Sequence, residues 1–156
     1  MGADERVLIV GMGYVGLPLA LSFVRGGVSV LGLDIDQSKV DALNSGSSYL
    51  GHIANSEIEK AVATGQFEAT TDFARCAEVD AVIIAVPTPL TKYRDPDLSY
   101  VTSTCERIAP HLRSGALVIL ESTTFPGTSA EVMKPILESG SALVVGETLD
   151  LAYSPE

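Results

Sequence analysis

Gly11-Met12-Gly13-Tyr14-Val15-Gly16 sets three glycines at a spacing that lets a main chain wrap a phosphate. The chemistry on offer there is binding. The first glycine permits a tight turn, the second lets backbone approach a pyrophosphate, and the third lets a following helix pack close. The N–H groups at the opening of that helix carry the positive end of its dipole, and those of Tyr14 and Val15 are the expected donors. A carboxylate follows at Asp34, eighteen residues after Gly16. At the end of a second strand, an acid accepts hydrogen bonds from the adenosine ribose of a dinucleotide. It repels the extra phosphate of NADP, so NAD is the favoured cofactor. Met12 and Ile35 flank these positions and are expected beside the cofactor. Lys39, one turn into the next helix, is spaced either to reach the same ribose or to stay in solvent.

Two further segments offer hydroxyls. Val86-Pro87-Thr88-Pro89 and Glu121-Ser122-Thr123-Thr124 each close a β-rich run. Turns favour such residues for conformational reasons alone, and Ser122 and Thr124 read equally as local caps. Strand-end position is what singles out Val86, Pro87 and Thr88 for the cofactor and Thr123 for its nicotinamide half.

The elements that must hold these groups alternate. Strands are expected at Arg6–Val10, Val28–Leu33, Phe67–Thr70, Asp80–Val86, Ala116–Glu121 and Leu149–Tyr153. Helices are expected at Tyr14–Arg25, Asp36–Asn44, Ser56–Thr64 with Ser56 and Glu59 as a capping box, Asp72–Glu78, Asp97–Ile108 and Thr128–Glu138. Pro135 predicts a kink or break in the last. The strand runs are apolar on both faces, which predicts an α/β fold: a doubly wound parallel sheet, the Rossmann arrangement, with strand order 3-2-1-4-5-6. Ligands of such sheets lie beyond the C-terminal strand ends, where the order reverses.

A chain of 156 residues with 46% hydrophobic and 19% charged residues suits one globular domain, 1–156. A net charge of −10 argues against nucleic acid or an anionic membrane as partner, because both need excess Lys and Arg. Backbone N–H groups still suffice for an anionic small ligand. The apolar stretch from Val7 to Phe23 is preceded by Asp4 and Glu5 and interrupted by Gly11, Gly13, Gly16 and Pro18. It is read as neither signal peptide nor membrane span, and the protein is expected in the cytoplasm. Cys76 and Cys105 read as reduced, packed thiols, and no metal-ligand spacing is seen.

Taken together, several segments resemble the UDP-glucose/GDP-mannose dehydrogenase family. They are Gly-Tyr-Val-Gly-Leu-Pro at 13–18, Gly-Leu-Asp-Ile-Asp at 32–36, Val-Pro-Thr-Pro-Leu at 86–90, Pro-Asp-Leu-Ser-Tyr-Val at 96–101, Glu-Ser-Thr-Thr-Phe-Pro-Gly at 121–127 and Tyr-Ser-Pro-Glu at 153–156. Ser48 to Ile53 and Thr88 to Tyr93 are similar to the branch acting on UDP-N-acetylhexosamines. The resemblance implies oxidation of a sugar C6 alcohol to a carboxylate with two NAD. It implies NAD contacts at Gly11, Gly13, Tyr14, Val15, Gly16, Asp34, Lys39, Thr88 and Thr123, and places Thr123 and Glu156 near the reacting carbon. In the family a nucleophilic cysteine, a lysine and a long central helix that joins two subunits lie beyond this region. Neither Cys76 nor Cys105 matches that nucleophile. The resemblance therefore implies a domain of a longer, dimeric or larger enzyme, which binds NAD without turning over a nucleotide sugar by itself. A stand-alone NAD(H)-sensing module is the alternative. A 3-hydroxyacid or 6-phosphogluconate type of dehydrogenase is disfavoured by the Pro-Thr-Pro and Ser-Thr-Thr segments.

Overall fold

The computed structural model describes residues 4–154. Six strands form one sheet in the order β3-β2-β1-β4-β5-β6, and every pair of neighbours is parallel. They are β1 (Arg6–Val10), β2 (Ser29–Leu33), β3 (Phe67–Thr70), β4 (Ala81–Ile84), β5 (Ala116–Leu120) and β6 (Leu149–Tyr153). The helices are α1 (Gly16–Arg25), α2 (Gln37–Asn44), α3 (Asn55–Ala63), α4 (Ser99–Ile108) and α5 (Lys134–Ser141). The expected order and the doubly wound class are both realised.

The apolar strands bury both faces by simple alternation. In β1, Val7 and Ile9 join the core beneath α1, α2 and α3, while Leu8 and Val10 join the core beneath α4 and α5. In β4, Ile83 goes to the first core, and Val82 and Ile84 to the second. Each such side chain contributes about 1.5–3 kcal/mol on leaving water, which is why these inner strands are apolar on both faces, whereas the edge strand β3 exposes Glu68 and β6 exposes Asp150.

Local chemistry moved several boundaries. Helix α1 begins at Gly16, not Tyr14, because residues 13–15 are spent on the turn that precedes it. The capping box at Ser56 and Glu59 does not form. Helix α3 starts at Asn55, its N-cap is Ala54 without a side-chain bond, and the Asn55 side chain instead accepts from the Ser48 N–H at 2.8 Å. Asp72 does cap its segment, accepting from the Ala74 N–H at 2.9 Å, but residues 73–78 wind as a 3₁₀-helix. Asp97 accepts from the Ser99 N–H at 2.9 Å, two residues before the start of α4. The break at Pro135 is a change of helix type. Residues 128–133 form a π-helix, and Pro135 then falls in the first turn of α5, where its missing N–H costs least.

The chain runs outward from β1 through β2 to β3, then returns to pair β4 on the other side of β1. The loops leaving β1 and β4 therefore part in opposite directions and leave a crevice between them.

Candidate functional site

A cavity of about 640 Å³ occupies that crevice, within the ~300–1,000 Å³ range of small-molecule and cofactor sites. It is walled by the loops that follow β1, β2, β4 and β5 and by one face of α4.

The glycine turn forms its floor. Gly11 has φ +97°, and a Cβ there would stand 2.7 Å from the Ala85 carbonyl oxygen, so a side chain is excluded by both conformation and space. A Cβ on Gly16 would stand 1.7 Å from the Gly11 carbonyl oxygen; the close approach is to the turn itself, with the sheet's Ile9 next at 3.4 Å. Gly13 differs. A Cβ there would meet nothing within 4 Å, and the residue lines the cavity. Its bareness serves no contact within the protein and leaves room for a ligand to touch the backbone. The N–H groups of Gly13, Tyr14 and Val15 make no backbone hydrogen bond among the described residues. Tyr14 and Val15 also line the cavity, so the donors needed for an anion are in place.

Asp34 is buried at the end of β2. Its two oxygens are already engaged: Oδ2 accepts from the Met12 N–H at 2.9 Å and Oδ1 from the Asp36 N–H at 3.0 Å. Each carboxylate oxygen keeps a second lone pair, so the group is oriented yet still able to accept from a ribose. Lys39 Nζ stands 3.9 Å from Asp34 Oδ2 and 5.6 Å from the centre of the Tyr49 ring, and it lines the cavity. Ile35 lines the cavity with an exposed side chain. Met12 does not: its side chain is fully buried against Gly32, and only its main chain serves the site, through Asp34. Gly16 likewise lies behind the turn, outside the cavity lining.

The far wall joins two strand ends. The Thr88 hydroxyl donates to the Thr123 carbonyl at 2.6 Å, and the Ser122 hydroxyl donates to the Val86 carbonyl at 2.6 Å. Ser122 is thus a buried cross-strand tie, not a helix cap. Thr124 keeps the local role, with its Oγ1 2.9 Å from that of Thr128 at the start of the next helical segment. Val86, Pro87, Thr88 and Thr123 all line the cavity. Glu156 lies outside the described residues.

Sequence reasoning missed the contribution of α4. Tyr100, Ser103, Thr104 and Arg107 line the cavity together with Phe73. The signal was available, because these helix positions are spaced i, i+3, i+4 and i+7 and so share a face. Tyr49 was also missed. Its hydroxyl donates to the Met12 carbonyl, pinning the loop after α2 onto the glycine turn. Burial, with Asp34 and Asp36 nearby, pushes its phenol well above the ordinary range. Tyr14 stacks on His52 from the same loop at 5.8 Å between ring centres.

The two cysteines are packed into the core, and burial pushes each thiol up to about 12. Neither is poised as a nucleophile, which needs a thiolate. No helix among the described residues is long and apolar enough to cross a membrane.

A parallel sheet with a bare glycine turn, free amides and an oriented acid at its switch point defines an NAD-binding domain of the Rossmann type. Comparison with known proteins gives the family. Residues 5–156 match the NAD binding domain of the UDP-glucose/GDP-mannose dehydrogenase family, and the chain belongs to that family. It is 38% identical to UDP-N-acetyl-D-mannosamine dehydrogenase of Salmonella typhi over 157 residues, covering 96% of this chain and 37% of that protein. It is 35% identical to UDP-N-acetyl-D-glucosamine 6-dehydrogenase of Pseudomonas aeruginosa, covering 98% of this chain and 35% of the relative. Both relatives fall in the branch that the sequence resembles. A crystal structure of GDP-mannose dehydrogenase from Pseudomonas aeruginosa superposes with a TM-score of 0.93 at 31% identity, over 97% of this chain and 36% of that one. The chain thus spans little more than a third of the length of the relatives it matches.

Proposed function

We propose that this chain is the NAD module of a nucleotide-sugar 6-dehydrogenase that oxidises the C6 alcohol of a UDP-N-acetylhexosamine to a carboxylate. The observation that carries the reading is a cavity lined on one side by a glycine turn of this family and on the other by the tied strand ends of Thr88 and Thr123. The branch is supported by the relatives, whose names specify UDP-N-acetyl sugars.

Bound NAD supplies the hydride acceptor, one molecule for each of two successive two-electron oxidations, with water providing the second carboxylate oxygen. The residues of this chain bind and orient. The amides of Gly13, Tyr14 and Val15 hold the pyrophosphate, and Asp34 accepts from the adenosine ribose, with Lys39 balancing its charge. Val86, Pro87 and Thr88 bound the cofactor opposite the glycine turn. Thr123, exposed at the cavity wall, is the residue that positions a water or passes a proton at the sugar carbon. Glu156 shares that role by resemblance. The covalent step then requires a thiol from another part of a longer protein, since burial keeps Cys76 and Cys105 protonated. On this reading the domain alone binds NAD without oxidising sugar, and the whole enzyme is a cytoplasmic homodimer or larger assembly.

The test supplies the longest natural form of the protein with NAD and, separately, UDP-N-acetylmannosamine, UDP-N-acetylglucosamine, UDP-glucose and GDP-mannose. Formation of two NADH per sugar with a UDP-N-acetylhexosamine is expected. Preference for another sugar would overturn the branch. Tight NAD binding with no oxidation of any of the four would leave an NAD(H)-sensing module instead.

A further inference from the structure

Three successive peptide groups of the glycine turn are each held by a different partner. The Gly13–Tyr14 peptide is fixed by the helix, because the Gly13 carbonyl accepts from the Leu17 N–H at 3.1 Å. The Gly11–Met12 peptide is fixed by Asp34, whose Oδ2 accepts from the Met12 N–H at 2.9 Å. The Met12–Gly13 peptide between them gets nothing from the main chain. Among the described residues, no backbone N–H reaches the Met12 carbonyl. The Tyr49 hydroxyl does, from the loop after α2, 37 residues away in sequence. Tyr49 is half-buried and does not line the cavity. Its ring packs on the core beneath α1, α2 and α3, and Lys39 Nζ lies 5.6 Å from the ring centre. The hydroxyl is therefore held in place, and burial keeps it protonated and a donor.

We infer that Tyr49 is a positioning residue for the anion site: by holding the Met12 carbonyl it aims the Gly13 N–H at the pyrophosphate. This rests on NAD occupying the cavity, and goes beyond it in assigning a role to a residue that no ligand touches. A trans peptide is planar, with its C=O and N–H pointing in opposite directions. Anchoring the Met12 carbonyl on Tyr49 therefore turns the Gly13 N–H away from the Tyr49 loop. Gly13 lines the cavity, and its N–H has no backbone acceptor among the described residues. Without the anchor this peptide is free to tilt, because the glycine on its far side tolerates a wide range of φ. A donor fixed before the ligand arrives loses less freedom on binding, so the anchor favours affinity without adding a contact.

The experiment compares Tyr49→Phe with the unaltered chain, using calorimetry for NAD and ADP-ribose and amide NMR titration for adenosine. Adenosine carries the base and ribose without a phosphate, so it reports on the rest of the crevice. Phe keeps the ring, its packing and its face toward Lys39, and the variant is expected to stay folded by circular dichroism. Y49F is expected to bind NAD and ADP-ribose about three- to tenfold more weakly, the worth of one hydrogen bond. Adenosine binding should not change. In the unaltered chain, the Gly13 amide signal should move when NAD is added. In Y49F it should already be displaced before any ligand is present. Unchanged NAD affinity in Y49F, or an equal loss for adenosine, would overturn the role of Tyr49 and leave the NAD site standing. So would a Gly13 amide that ignores bound NAD in the unaltered chain. Failure of the unaltered chain to bind NAD would remove the site and the role together.

Discussion

The carboxylate of Asp34 accepts a hydrogen bond from the main-chain N–H of Met12 at 2.9 Å, tying the end of β2 to the glycine turn after β1. The acid proposed to meet the ribose therefore also fixes the shape of the glycine turn. Replacing Asp34 with Ala leaves a buried N–H without its partner and is expected to cost about 1–3 kcal/mol of stability. It should also weaken NAD binding and narrow the preference for NAD over NADP. Denaturant titration and calorimetry with both cofactors check the two effects. Unchanged stability would show that the tie to Met12 contributes nothing.

The last two glycines of the motif should separate folding from binding. Gly13→Ala places a methyl group in open space, so stability should stay within about 0.5 kcal/mol of the parent. The same methyl stands where a cofactor must approach the backbone, and NAD affinity should fall at least about tenfold. Gly16→Ala puts its Cβ 1.7 Å from the Gly11 carbonyl oxygen and should disrupt the turn itself. The expected sign is a large loss of melting temperature, measured by circular dichroism, with NAD binding lost as a consequence.

Ser122 and Thr88 hold the opposite wall by hydroxyl-to-carbonyl bonds of 2.6 Å each. Ser122→Ala leaves the Val86 carbonyl without this partner in a partly buried setting. The expected cost is about 1–3 kcal/mol. Thr88→Val removes a more exposed bond and should cost about 0.5–1.5 kcal/mol. Urea unfolding of both variants checks the ranking, and the reverse order would count against Ser122 as the principal tie.

Stability should fall in acid because of two carboxylates held chiefly by Arg75, with Arg6 beside them at 2.6 Å from Glu78 and 3.5 Å from Glu68. Arg75 donates to Glu68 at 2.6 Å and to Glu78 at 2.9 Å. Its hydrogen bonds hold both carboxyls below their ordinary value of 4.5. A carboxyl whose folded pKa is lowered contributes stability above its unfolded pKa and loses it as pH falls through the folded one. The unfolding midpoint should therefore drop as pH is taken below about 4.5, and high salt should blunt the effect at these exposed groups. Arg75→Gln should flatten that slope, which urea titrations at pH 6 and pH 3 would measure.

The sequence by itself determined the sheet and the cradle. Runs such as Val7–Val10 and Val82–Ile84 are apolar at every position, and only a strand buried on both faces accepts that pattern. Gly11, Gly13, Gly16 and Asp34 mark a candidate phosphate turn by type and spacing, although the space at Gly11 is closed by the Ala85 carbonyl of a distant strand end. Boundaries resting on weak local competition were less readable. Ser56 does not cap α3, because Asn55, drawn to the Ser48 amide, already begins the helix one residue earlier.

The tertiary structure alone decided which side chains share the cavity. Met12 sits inside the motif, yet its side chain turns into the core, while Arg107, Phe73 and Tyr49 come to the site from elements distant in sequence. Whether Ser122 caps the next helix or ties two strands was settled by the β4–β5 register, which brings Val86 to its hydroxyl. Such partners are chosen by the packing of helices on a twisted sheet. That packing sums many small contacts across the chain, so no local window of residues records it.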